Sequence, residues 1–142
     1  MTNGAGHFST FIRNHFQSSL GKLITVCEDK EMLQIAKEYF GFVTDEVLST
    51  IETDPVSAIE VANSGEHDLI LVDIDWHNPN SELREKLLDP EFLAKLESIA
   101  VPDGGLIAFN IDSTDKTLLK KVETQLKASL SSLLFAADLV DG

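Results

Sequence analysis

Two acids follow a short apolar run in the stretch Asp68-Leu-Ile-Leu-Val-Asp-Ile-Asp75, and their placement is what could do chemistry. Residues 69–72 carry no polar side chain, the pattern of a strand buried on both faces in a parallel sheet flanked by helices. Open α/β sheets bind ligands in the crevice beyond the carboxyl ends of their strands, which is where Asp73 and Asp75 then fall. Carboxylates in such a place can orient an amine or accept its proton. The plainer alternative is that one acid caps a loop and the other is solvated.

A second stretch with chemical potential is Gly4-Ala5-Gly6, followed by an amphipathic helix pattern in Phe8, Phe11, Ile12 and Phe16. Glycine permits positive φ and lets a ligand approach the backbone. The helix amino end behind it favours polar or anionic groups. In a complete nucleotide-type unit an apolar strand would lie just upstream, and none does here.

The elements that must position these residues follow from periodicity. A strand over 23–27 ends at Glu28 and Asp29, and a helix over 31–40 has Met32, Ile35, Ala36 and Tyr39 as its apolar stripe, with Gly41 as its stop. A weaker strand covers 47–51. Asp54 then reads as an N-cap with Pro55 at the first helical position, opening a helix through Ala62. After the turn at 64–66 and the central strand, 76–83 is a polar loop. Asp89 and Pro90 repeat the cap signal before a helix that buries Phe92, Leu93, Leu96, Ile99 and Ala100. The turn Pro102-Asp-Gly-Gly105 leads to a strand over 106–109, then a helix over 116–130 with Leu119, Val122 and Leu126 inward, and a final strand over 133–140. Strands alternating with helices imply βαβ units and a largely parallel sheet.

At 142 residues, with 43% hydrophobic and 25% charged residues, the chain reads as one globular domain spanning 1–142. Its net charge of −13 argues against nucleic acid or an anionic membrane as partner, since either would be repelled. A single cysteine, Cys27, excludes an internal disulfide and a Cys-cluster metal site, and suits a cytoplasmic location. No apolar run approaches the roughly 18 to 20 residues of a membrane span.

Taken in order, Gly4-Ala-Gly6, Val26-Cys-Glu-Asp-Lys-Glu-Met-Leu33, Tyr39-Phe-Gly-Phe42, Asp54, Asp68 to Asp75, Phe92-Leu93 and Val101-Pro-Asp-Gly-Gly-Leu106 resemble class I S-adenosylmethionine-dependent methyltransferases. The closer likeness is to the spermidine-synthase-like branch, which includes a methyltransferase of translation elongation factor one alpha. The resemblance implies a Rossmann-like, mostly parallel sheet with helices on both faces, S-adenosylmethionine as cofactor, and a protein substrate methylated on nitrogen. It implies cofactor contacts at Gly4, Ala5 and Gly6 under the methionine part, and at Asp54 and Pro55 near the adenine. The family's ribose-binding acid falls at Cys27, with Glu28 adjacent and Asp29 matching an acid two residues later. Asp73 matches the strand-end acid near the transferring methyl group, and Asp75 a second acid of the branch; a further family acid falls at Asn78. The family's first strand, mid-sheet, and its closing antiparallel strand have no counterpart. Removing strand one from the order 3-2-1-4-5-7-6 leaves 3-2-4-5. The chain is then a fragment or divergent short form, or its strands have closed the gap; the first is the expectation.

Two rival readings come from the same residues. A phospho-acceptor receiver module would use Glu28 and Asp29 as a Mg²⁺-binding pair and Asp73 as acceptor. It leaves the glycine-rich leader unexplained and lacks a convincing downstream Thr or Ser and strand-end Lys. A catalytically inactive methyltransferase-like interaction domain is favoured by Cys27, Asn78 and the incomplete strand set. Asp73-x-Asp75-x-His77 has metal-ligand chemistry, but solvated loop residues account for it better, and no metal is expected.

Overall fold

The computed structural model describes residues 6–73, 82–86, 89–111 and 115–130, where parallel strands alternate with helices as the periodicity requires. Helix α1 (His7–Phe16) and a short 3-10 turn (Gln17–Ser19) precede β1 (Leu23–Val26). Helix α2 (Lys30–Tyr39), β2 (Leu48–Ile51) and α3 (Pro55–Val61) follow. Then come β3 (Leu69–Asp73), α4 (Glu82–Lys86), α5 (Pro90–Ile99), β4 (Leu106–Asn110) and α6 (Lys116–Ser129). The expected strand over 133–140 and most of the loop over 76–83 lie outside the described residues.

Local chemistry sets the boundaries. Asp29, Asp54, Asp89 and Asp115 each accept a backbone N–H from the first turn of the following helix, satisfying a donor with no intrahelical partner. Pro55 and Pro90 open α3 and α5, where a missing N–H costs nothing. Helix α2 stops at Gly41, whose φ of 66° is left-handed, and the Phe42 N–H closes the end on the Ala36 carbonyl at 3.1 Å.

The strands pair in parallel, but as two separate sheets. β1 lies beside β2, from Leu23 opposite Leu48 to Val26 opposite Ile51. β3 lies beside β4, from Leu69 opposite Leu106 to Asp73 opposite Asn110. Among the described residues β1 and β3 are not hydrogen-bonded neighbours, so the gap between them has not closed into a four-stranded sheet. Among the described residues each strand is therefore an edge. This explains why β3 is not buried on both faces as its composition suggests: only Val72 is buried, and Leu69 is 56% exposed.

Burial follows the same division. One core gathers Val72, Phe92, Leu93, Leu96, Ile99, Val122 and Leu126, on β3, α5 and α6. Val56 and Ile59 of α3 and Leu118 of α6 pack on its margin. A smaller core joins Leu33 and Ala36 of α2 with Phe42 and Leu48, and Leu23 and Cys27 rest against it. Helix α2 thus faces inward through Leu33 and Ala36, while Ile35 and Tyr39 of the expected stripe are exposed. Helix α1 forms as expected, but its aromatic residues are half exposed and the residue it buries is Ser9. The Ser9 hydroxyl is 2.7 Å from the Thr25 hydroxyl of β1, so a buried polar pair joins this helix to the strand.

Asp45 ties the two halves of the smaller unit together. Its Oδ1 accepts the N–H groups of Val47 and Leu48 at 2.9 and 2.8 Å, and its Oδ2 accepts the Arg13 guanidinium of α1, with Nε at 2.6 Å. The Leu48 N–H first, then the Arg13 hydrogen bond, hold its carboxyl below the ordinary value of 3.8. A carboxyl depressed on folding stabilises the native state above its unfolded pKa, and that contribution is lost as pH falls through the folded value. Thermal unfolding followed from pH 7 down to pH 3 should therefore show a midpoint that falls below about pH 4. Asp45→Asn should lower the midpoint at neutral pH and flatten the acid limb.

Candidate functional site

Of the residues singled out in the sequence, Cys27, Glu28, Asp29, Asp54, Pro55 and Asp73 lie at strand ends or in the segments that leave them. β1 and β2 run parallel, so Cys27 and Asp54 leave that pair at the same end; Asp73 and Asn110 do the same for β3 and β4. Asp73 closes β3 and is half buried. Directly across from it, the Asn110 side-chain amide donates to Asp73 Oδ1 at 2.8 Å. Sequence reasoning missed Asn110. The signal was available: Asn110 follows the apolar run 106–109 just as Asp73 follows 69–72.

The glycine turn is described only at Gly6, since Gly4 and Ala5 lie outside the described residues. Gly6 is buried and left-handed at φ 71°, and its carbonyl accepts the Thr10 N–H at 2.9 Å as the first bond of α1. Its place could hold no other residue without displacement, because a Cβ there would lie 2.3 Å from the Phe42 ring. One turn later, Ser9 holds α1 to Thr25, two residues before Cys27. The buried Phe42 and Thr25 thus set this turn against the carboxyl half of β1.

The candidate ribose and adenine positions have structural duties. The half-buried Cys27 thiol donates to the Asp29 carbonyl at 3.4 Å. Asp29 Oδ1 accepts the Met32 N–H at 2.9 Å and caps α2. Glu28 between them is exposed. Asp54 Oδ1 accepts the Ser57 N–H at 2.9 Å, and the cap reading of this residue holds. The Ser57 hydroxyl first, and then the Ser57 N–H, hold the Asp54 carboxyl below its ordinary value, so it is an anion at neutral pH. Pro55 is buried at the first position of α3.

Asp75 lies outside the described residues, as do Asn78, Trp76 and His77. Among the described residues no group of three or more His, Cys, Asp or Glu could hold a metal ion. An open depression along α6 is lined by Lys116, Thr117, Lys120, Lys121, Thr124 and Gln125, and includes none of the strand-end residues. No helix among the described residues is long and apolar enough to cross a membrane.

Parallel strands alternating with helices match a Rossmann-like methyltransferase fold. The solved structure of human methyltransferase-like protein 13 in complex with SAH shares it, with a TM-score of 0.72 and 27% sequence identity over 88% of this chain. The match covers 58% of that structure's chain, so the present chain spans somewhat more than half of its length. No protein-family model and no curated protein matches the sequence.

The contact between Gly6 and Phe42 can be separated from the backbone requirement. Gly41 has nearly the same φ, 66°, but a methyl group there would meet no atom within 4 Å. Gly41→Ala therefore carries the left-handed cost alone, about 1–2 kcal/mol. Gly6→Ala adds overpacking against Phe42, typically ~1–3 kcal/mol more. Denaturant titration of the two variants should rank Gly6→Ala well below Gly41→Ala in stability. Equal losses would mean that the Phe42 ring yields freely.

Proposed function

We propose that this chain is an S-adenosylmethionine-binding methyltransferase domain that transfers a methyl group to nitrogen, with a protein amine as acceptor. The observation that carries the reading is the shared fold, at 27% identity over 88% of the chain, with a structure solved in complex with SAH. Asp73 supports it independently, as a carboxylate held at a strand end where α/β folds bind their ligands.

The residues present fit the cofactor in part. Gly6 has the left-handed backbone of a glycine-rich turn, with its Cβ direction taken by the Phe42 ring, and Asp54, anionic and beyond the end of β2, suits the adenine amino group while still capping α3. The ribose position fits less well. Two neighbouring hydroxyl donors call for two acceptor oxygens, and Cys27 offers a sulfur that already donates to the Asp29 carbonyl. Glu28, exposed beside it, is the nearest carboxylate in sequence.

When bound, S-adenosylmethionine supplies an electrophilic methyl on a sulfonium. Asp73 would hold the neutral amine of the acceptor in line with that methyl, and such positioning is the larger part of catalysis of this kind. With the cofactor bound, the Asp73 carboxylate at the strand end would take up the proton that the amine sheds on methylation. Asp75, two residues on, is the second acid in this role.

The alternative is a methyltransferase-like domain that no longer binds cofactor, favoured by Cys27 at the ribose position and by the lack of pairing between β1 and β3. Calorimetry with S-adenosylmethionine separates the two: saturable binding is expected, and none at millimolar cofactor would sink the enzymatic reading. Cys27→Glu should tighten binding roughly tenfold, the worth of one charge-assisted hydrogen bond; unchanged affinity would remove Cys27 from the ribose site. Asp73→Ala should lower methyl transfer to a protein amine, followed with radiolabelled cofactor, by at least ~10²-fold while leaving the fold intact.

A further inference from the structure

We propose that Asn110 is a positioning residue that fixes the direction of the Asp73 carboxylate without neutralising it. The inference rests on the reading of Asp73 as the acid beside the transferable methyl. It adds a residue that neither sequence resemblance nor periodicity singled out.

The geometry is specific. Asp73 and Asn110 are the last residues of neighbouring parallel strands and register partners, so their side chains leave the same side of the pair. The terminal torsion of an aspartate is broad and nearly two-fold, so a strand-end carboxylate with no donor swings between orientations. The Asn110 amide removes that freedom by donating to Oδ1 at 2.8 Å, which gives Oδ2 a single direction. Both backbones are held by the β3–β4 ladder, so the pair is mounted on paired strands rather than on loops.

The residue type matters as much as the place. Lysine or arginine at 110 would pair with Asp73 and cancel the charge that attracts a sulfonium or an amine. An acid would repel it, and an apolar residue would leave it free to turn. A neutral amide is the side chain that orients an anion and leaves its charge available.

A double-mutant cycle read with two ligands tests this, using the full chain in calorimetry with S-adenosylmethionine and S-adenosylhomocysteine. The first carries a positive sulfonium and the second a neutral thioether, so an oriented carboxylate distinguishes them, whereas general damage to the site weakens both alike. Asn110→Leu should weaken S-adenosylmethionine roughly tenfold, the scale of one charge-assisted contact, and change S-adenosylhomocysteine far less. In an Asp73→Ala background the same substitution should have no further effect on either ligand, because residues acting through one another are not additive. If Asn110→Leu unfolds the chain, Asn110→Ser takes its place: it keeps a polar residue on the strand but cannot reach Oδ1. Equal losses for both ligands, additivity with Asp73→Ala, or no loss at all would overturn the role of Asn110 while leaving the cofactor reading intact. A wild-type chain that binds neither ligand would overturn both.

Discussion

A slip of one residue between β3 and β4 would turn Val72 from the core toward solvent and move Asp73 away from Asn110. Strand side chains alternate, so register decides burial and chemistry together. The structure fixes this register before the ladder begins. The His67 N–H donates to the Ile99 carbonyl, and the His67 carbonyl accepts from Val101, which ties the entry of β3 to the end of α5. The turn at 102–105 then delivers the Leu106 N–H to the Asp68 carbonyl at 2.9 Å. Gly105 has no space for a side chain, since a Cβ there would lie 2.5 Å from the Val101 carbonyl oxygen. The strand-end pair is the far consequence of that turn.

Much of this was legible in the residues. The caps at Asp54 and Asp89 start helices where acid, proline and apolar periodicity meet, and the buried face of α5 is the one its spacing marks, whereas the caps at Asp29 and Asp115 emerged only with the structure. What was not legible is orientation where apolar residues exceed what one face can bury. Helix α2 has apolar residues at 32, 33, 35, 36 and 39, and periodicity alone did not say that Leu33 and Ala36 would meet Phe42 and Leu48. In α1 the aromatic residues drew attention, while the contact with β1 is made by Ser9, a hydroxyl that needs a partner unknown until the fold brings Thr25 to it.

The candidate site was legible as positions rather than as contacts. Asp73 at the end of its strand follows from the apolar run before it. Its hydrogen bond to Asn110 joins residues 37 apart in sequence and depends on which strand lies beside β3. Cys27 and Asp29 could be placed from resemblance, but only the structure shows the thiol directed at the Asp29 carbonyl and the carboxylate at the start of α2. Local hydrogen bonds compete for these groups, and a side chain that caps a helix has fewer oxygens to offer a ligand.

The division into two parallel pairs has a further consequence for how the molecule comes apart. Cooperative unfolding is transmitted through shared burial, and among the described residues the core around Phe42 has no member in common with the core around Leu93. Each is a small unit able to open on its own, so amide protons along β1 and β2 need not exchange at the rate of those along β3 and β4. A molecule held at once by the strand ends of both pairs would act as the brace that a shared core provides in other folds. Its binding would appear less as a change of shape than as the merging of two melting transitions into one.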